Sequence, residues 1–319
     1  MKRIHFPLLT RVAWLHSVVL FLSPLQAKNG FNLTDATIPI DEIHQGGPPR
    51  DGIPSIDDPK FEKAADADWM RDGDLVVAVG VDGDQRAYPI RILVWHEIVN
   101  DTVGDKPVAV TYCPLCGTAM TFEREYDGRE LTFGVSGLLY QSDVLMFDRE
   151  TESLWSQLAM KSVSGDFVRT ALTWIPSRLQ TWDSWKAEHP GGRVLSRDTG
   201  VPRDYDRMPY EGYEDRPHIM FPVPEHRTEL GNKEWVLGVL AGETALALPE
   251  KTLASVATDG EAHVELEAGK EGQKIEVRYD PDSRRAVATD LKTNRELPVV
   301  HVFWFAWQGF YPETVLWEP

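Results

Sequence analysis

Cysteine is scarce in this chain: its 319 residues include two, Cys113 and Cys116, inside the stretch VTYCPLCGTAM. A chain of this length buries enough apolar surface to fold without covalent staples, so a disulfide framework is excluded and the pair is a local device. Positive charge is scarce as well. Against 50 Asp and Glu stand 33 Lys and Arg, for a net charge of −17, which repels phosphate backbones and anionic lipid and argues against nucleic-acid binding. Solubility in an extracytoplasmic space is the plainer use of that charge. Also missing are a Gly-x-Ser-x-Gly elbow, a phosphate-binding glycine loop and His-Glu-x-x-His, so the common hydrolase and nucleotide sites have no sequence basis here.

No apolar run is long enough to span a bilayer. Lys2, Arg3 and Arg11 precede the apolar stretch Val12–Leu22, and Pro24 and the small Ala27 follow it. That order reads as a secretory signal peptide, and the stretch is shorter than the roughly 20 residues a membrane helix needs. Cleavage near Ala27 is expected to leave a periplasmic or secreted protein without a membrane span. It also removes three positive charges, taking the net charge from −17 to −20.

Residues 28–58 are rich in Gly, Pro and Asp and read as an irregular arm on the surface. A single domain is expected over 59–319. LVVAVGVDGDQRAYPI is a hairpin around Asp82-Gly83, and Pro89 stands where a helix can start. KPVAVTYC reads as a buried strand ending at Cys113, and TAMTFEREY, RELTFGVSG, DVLMFDRE and ESLWSQL as antiparallel strands. Thr181 or Asp183 can cap the helix WDSWKAEH, which Pro190-Gly191-Gly192 stops. The polar stretch 197–218 reads as a surface loop or a lid.

The chain also resembles itself. Residues 75–93 and 235–253 share Val76/Val236, Val79/Val239, Ala87/Ala247, Pro89/Pro249 and Leu93/Leu253. LPVVHVFWFAW at 297–307 resembles KPVAVTYCPLC at 106–116, with Trp304 and Trp307 where the cysteines stand. The fold expected is therefore α+β and strand-dominated, with two related β-rich halves, about 70–195 and 230–319, packed together.

For the cysteines, three chemistries remain open. The first is a metal knuckle, in which Gly117 turns left-handed so that backbone N–H groups point at thiolate sulfur. Structural zinc needs four ligands and no second Cys-x-x-Cys exists, so copper, as Cu(I), suits a soft site of two or three donors better than zinc does. His96, just before the cysteine strand, is the preferred third ligand. Glu97 and Asn100 follow it closely, Tyr140, Trp155 and Gln157 can line a pocket, and His301 is a second candidate histidine. His44, His189, His218, His226 and His263 read as ordinary surface residues. Such a centre would serve metal handling or an oxidative reaction, as in a copper-dependent oxidoreductase, with a small-molecule substrate or a metal-exchanging protein as partner. The second chemistry is a Cys113–Cys116 disulfide in a structural or ligand-binding protein. The third is a thiol–disulfide oxidoreductase, which needs a helix after Cys116, whereas the alternation in GTAMTFEREYDG favours a strand.

Five stretches in order, AYPIRILVWHEIVND, VTYCPLCGTAMTF, FGVSGLLYQSDVLMFDRETESLWSQ, TWDSWKAEHP and FWFAWQGFYPET, resemble the bacterial and archaeal domain of unknown function 3179 over roughly residues 50–315. The resemblance implies that the signal peptide and the Cys-Pro-Leu-Cys stretch belong to one recurring design. It supplies no catalytic residues.

Overall fold

β-branched and alternating segments account for most of the chain, and strand is what they form. The computed structural model describes residues 27–224, 227–269 and 272–319. The signal-peptide reading, Ala27 apart, and His226 lie outside the described residues. Among the described residues there are four helices of seven residues each: α1 Ile90–His96, α2 Trp182–Glu188, α3 Glu250–Val256 and α4 Trp304–Phe310. None is long and apolar enough to cross a membrane. The fold is strand-dominated, and its helices are connectors of about two turns rather than a layer of their own.

Five sheets of three to five strands make up the body, propeller-like in their number. In a propeller each blade touches two neighbours. Here the three-stranded sheet Ile98–Val103, Lys106–Cys113, Thr118–Glu123 packs against three others. The cysteine turn closes its second hairpin, so the turn sits at a junction.

One succession of elements occurs twice. Leu75–Val81, Asp84–Pro89 and α1 are matched by Trp235–Ala241, Thr244–Pro249 and α3, of equal lengths. Val76 pairs with Pro89 and Val236 with Pro249. A meander follows in each: the three-stranded sheet in one, and Ala262–Ala268, Gln273–Tyr279, Ala286–Asp290, Arg295–Leu297 in the other. Each then returns to its first sheet, by Ser177–Thr181 and α2 or by Val299–Phe303 and α4, with Thr181 opposite Leu75 and Phe303 opposite Trp235. A short parallel strand joins the hairpin in both, Arg193–Leu195, itself flanked by Phe61–Lys63, and Val315–Leu316.

This geometry corrects the expected match of 297–307 with 106–116. Trp304 and Trp307 occupy the places of Trp182 and Trp185, not of the cysteines, because Val299–Phe303 pairs with the hairpin strand as Ser177–Thr181 does. Shared β-branched composition made two unlike strands look alike.

The first succession carries an extra sheet built from Phe133–Tyr140, Asp143–Asp148, Leu154–Ser156 and Lys161–Ser164. Its far edge is Ile43–Gln45, from the segment expected to lie on the surface. Residues 28–58 are more than a surface arm, since Phe31, Leu33, Ile43 and Ile56 are buried. A three-residue strand is too short to show a period in sequence.

Candidate functional site

The strand Lys106–Cys113 is buried through Val108, Ala109 and Val110, and it ends where Pro114 offers no N–H to continue the ladder. Gly117 has φ +70, and a Cβ there would stand 2.3 Å from Cη2 of Trp235. Only glycine accepts both the backbone and the contact. Gly117→Ala is expected to cost about 2–4 kcal/mol from overpacking and backbone strain, read as a lowered urea midpoint at unchanged slope. An unchanged midpoint would show that Trp235 yields freely.

The second succession holds a twin of this turn. Tyr112-Cys113-Pro114-Leu115-Cys116-Gly117 corresponds to Tyr279-Asp280-Pro281-Asp282-Ser283-Arg284, and Arg284 has φ +59 where Gly117 has φ +70. The pair is related across the junction. Phe303 donates its N–H to the carbonyl of Cys116 at 2.9 Å, and Thr181 donates to that of Ser283 at 2.9 Å. In the twin, Asp280 Oδ1 accepts the N–H groups of Asp282 (2.9 Å) and Ser283 (3.2 Å), and the Ser283 hydroxyl donates to Oδ2 at 2.6 Å. Burial works against that carboxylate, yet these donors hold it below the ordinary range. The turn is thus shaped to carry an anion at its first position, which in the first succession is Cys113.

The two thiols meet a second turn. Gln141 and Ser142, with φ +52 and +64, close the hairpin between Phe133–Tyr140 and Asp143–Asp148 without glycine at either position, a rare and strained arrangement. The Ser142 carbonyl lies 3.2 Å from Cys116 Sγ and 3.9 Å from Cys113 Sγ, and accepts from both thiols. Ligand-type atoms of Cys113, Cys116 and Asp143 all fall within 4.8 Å of one another. These residues are 1%, 0% and 1% exposed. Asp143 Oδ2 accepts the Leu158 N–H at 3.0 Å, while Oδ1 faces the thiols without a well-formed hydrogen bond.

Burial sets the protonation of this group. It pushes Asp143 up to about 7 and, with the Asp143 charge, Glu97 up to about 8. Both thiols are also raised by burial. A carboxyl whose folded pKa exceeds its unfolded one binds protons more tightly when folded, so its stabilising contribution is full below about pH 4 and is lost as pH climbs through the folded value. The metal-free protein is expected to lose on the order of a few kcal/mol between pH 5 and pH 8, with Glu97→Gln flattening that slope. Equal slopes in the two proteins, measured by urea titration, would contradict the assignment.

Residues 197–224 contain neither helix nor strand and cover the site. Tyr210 and Tyr213 turn inward, packed on the core cluster that contains both cysteines. The cover is pinned by Ser142 Oγ on the Phe221 carbonyl (2.7 Å) and by Lys233 on the Tyr213 ring, 3.3 Å from its centroid.

Residues 50–314 match the family described as protein of unknown function (DUF3179). The chain belongs to that family. No curated protein and no solved structure matches it.

The remaining expected site residues divide sharply. His96 does not join the thiol group among the described residues. Its Nδ1 donates to the Pro54 carbonyl at 2.7 Å, which leaves Nε2 to accept from the Tyr205 hydroxyl at 2.7 Å, so the ring is neutral and fully used. Glu97, one residue on, is buried and stands outside the thiol group as well. Asn100 ties the sheets together through Asp57 and Phe133, and Trp155 donates to Asp148 within the core. Tyr140 packs edge-on against Phe310. Gln157 braces the cysteine strand through Thr111 Oγ1 at 2.7 Å. His301 belongs to the second succession, where Nδ1 meets Glu250 at 2.8 Å. The sequence reading did not single out Asp143, which the structure brings to the two thiols. Its only sequence signal is the glycine-free Gln141-Ser142 turn before it.

Proposed function

We propose that this protein is a secreted metal-binding protein whose centre is Cys113, Cys116 and Asp143. The observation that carries the reading is the convergence of three ionisable donor groups, all buried, within 4.8 Å. Left without a cation, such groups pay for burial by staying protonated; a bound ion releases their protons and takes the resulting charge. The twin turn supports the same reading, because it holds an anion at the position of Cys113. Two thiolates alone suit Cu(I), for metal handling or an oxidative reaction. The Asp143 carboxylate favours zinc as the second reading.

A dithiol oxidoreductase fits less well. Thr118–Glu123 is a strand, so no helix dipole lowers a thiol pKa, and burial raises both. The two successions of elements are read as an internal duplication in which one copy carries thiols and the other Asp280 and Ser283. The test is the protein purified from periplasm without added metal, analysed for metal by mass spectrometry and for free thiols by titration. About one ion per chain with both thiols protected is the expected result. A metal-free protein with a closed Cys113–Cys116 disulfide would sink the reading.

A further inference from the structure

Beside the two thiols, Asp143 Oδ1, Gln157 Oε1 and Thr118 Oγ1 are buried without a well-formed hydrogen bond among the described residues. Their residues are 1%, 0% and 0% exposed. A buried polar atom left unpaired is costly, so several in one place call for a common partner. Contacts place all three around one small space. Thr118 pairs with Cys113 and Met120 with Thr111, so strand alternation puts these four side chains on one face. Gln157 reaches that face: its Nε2 donates to Thr111 Oγ1 at 2.7 Å and approaches the Thr118 carbonyl at 3.4 Å. Thr111 Oγ1 itself donates to the Met120 carbonyl at 2.8 Å and must therefore accept from Gln157. That fixes the amide with its nitrogen toward both acceptors and Oε1 turned away from them. The next residue, Leu158, donates its N–H to Asp143 Oδ2 at 3.0 Å, and a carboxylate oxygen of Asp143 lies within 4.8 Å of both cysteine sulfurs. The contacts thus close a ring from Cys113 through Thr118, Gln157, Leu158 and Asp143 back to Cys113, and each orphaned atom belongs to a member of it.

We propose that this ring binds one water molecule, exchangeable for a small external ligand, as the fourth partner of a divalent ion held by Cys113, Cys116 and Asp143. The inference rests on the metal-binding reading above, in its zinc-like form. Catalytic zinc centres pair three protein donors with one open position, whereas closed structural centres supply four protein donors. Among the described residues no fourth His, Cys, Asp or Glu joins the three. Donor type accounts for every orphaned atom. Asp143 Oδ1 is the carboxylate oxygen left for the ion, because Oδ2 already accepts from Leu158. A water beside the ion can accept from the Thr118 hydroxyl and donate one O–H to Gln157 Oε1, which can only accept.

The experiment loads the purified protein with Co(II) in place of Zn(II) and titrates it with azide, following the d–d absorption, in wild type, Thr118→Val, Thr118→Ser and Gln157→Met, each checked for folding by circular dichroism. Azide is expected to displace the water and to move the wild-type spectrum to a saturating end point. Thr118→Val removes a donated hydrogen bond and is expected to weaken azide by about fivefold, which Thr118→Ser restores. Gln157→Met removes the acceptor that favours water over an anion and is expected to strengthen azide by about the same factor. One Co(II) per chain with a spectrum that azide does not move would overturn the exchangeable position and leave the metal centre standing. An equal azide response in all four proteins would overturn the parts given to Thr118 and Gln157. A wild type that takes Cu(I) but neither Zn(II) nor Co(II) would overturn the divalent centre and the water with it, and one that takes none of the three would overturn the metal-binding reading itself.

Discussion

Cys113→Ser and Cys116→Ser are each expected to weaken metal binding by about two orders of magnitude, measured by equilibrium dialysis against zinc and against Cu(I). A structural zinc site of four donors is worth about 10–16 kcal/mol in small peptides. One thiolate out of four is then worth roughly 3 kcal/mol, or two orders of magnitude in affinity. Serine preserves size and the contact with the Ser142 carbonyl, 3.2 Å from Cys116 Sγ, so the fold should survive the change. Binding that persists unchanged in both serine variants would mean that any ion sits elsewhere. The same variants separate the readings of the pair, because a protein that merely closes a disulfide would lose stability in them without losing an ion.

The second large effect belongs to the opposite half. Glu250 is 8% exposed and receives Arg284 (3.0 Å to each carboxylate oxygen), the Tyr279 hydroxyl (3.0 Å) and His301 Nδ1 (2.8 Å). Although burial opposes it, this company lowers the Glu250 carboxyl to about 2. Arg284→Met is expected to destabilise the protein by about 3–5 kcal/mol, the cost of leaving a buried charge without its partner. Arg284 also lies over the Trp235 ring, 4.4 Å from its centroid, and Trp235 is the wall against which Gly117 is fitted. The double change Glu250→Gln with Arg284→Met should cost less than the two single changes added together. A loss below about 1 kcal/mol for Arg284→Met, from urea titration, would show the pair to be energetically idle.

Much of the local architecture was legible. A β-branched run followed by Cys-Pro gives the strand Lys106–Cys113, the Asp82-Gly83 pair gives the hairpin of Leu75–Val81 with Asp84–Pro89, and Gly117 is left-handed as a knuckle requires. The site was legible only in part, for two physical reasons. Asp143 reaches the thiols through a separate sheet, and pairing between sheets leaves no local periodicity to read. His96 does not join the thiols, because both of its ring nitrogens are engaged, by the Pro54 carbonyl and the Tyr205 hydroxyl. The match of Trp304 with a cysteine went astray because Trp-x-x-Trp recurs at Trp182 and Trp185, in the helix that α4 repeats.

The cover over the centre bears on time rather than affinity. Cys113, Cys116 and Asp143 all precede the segment carrying Tyr210 and Tyr213, which in turn precedes Trp235 and Phe303 on the far wall. A chain emerging from its N-terminus thus assembles the donors before it can seal them. In the metal-binding reading proposed above, an ion captured in that interval would be enclosed by everything synthesised afterwards, and its escape would be paced by local opening of the cover. The identity of the ion would then reflect which metal was at hand where the chain folded.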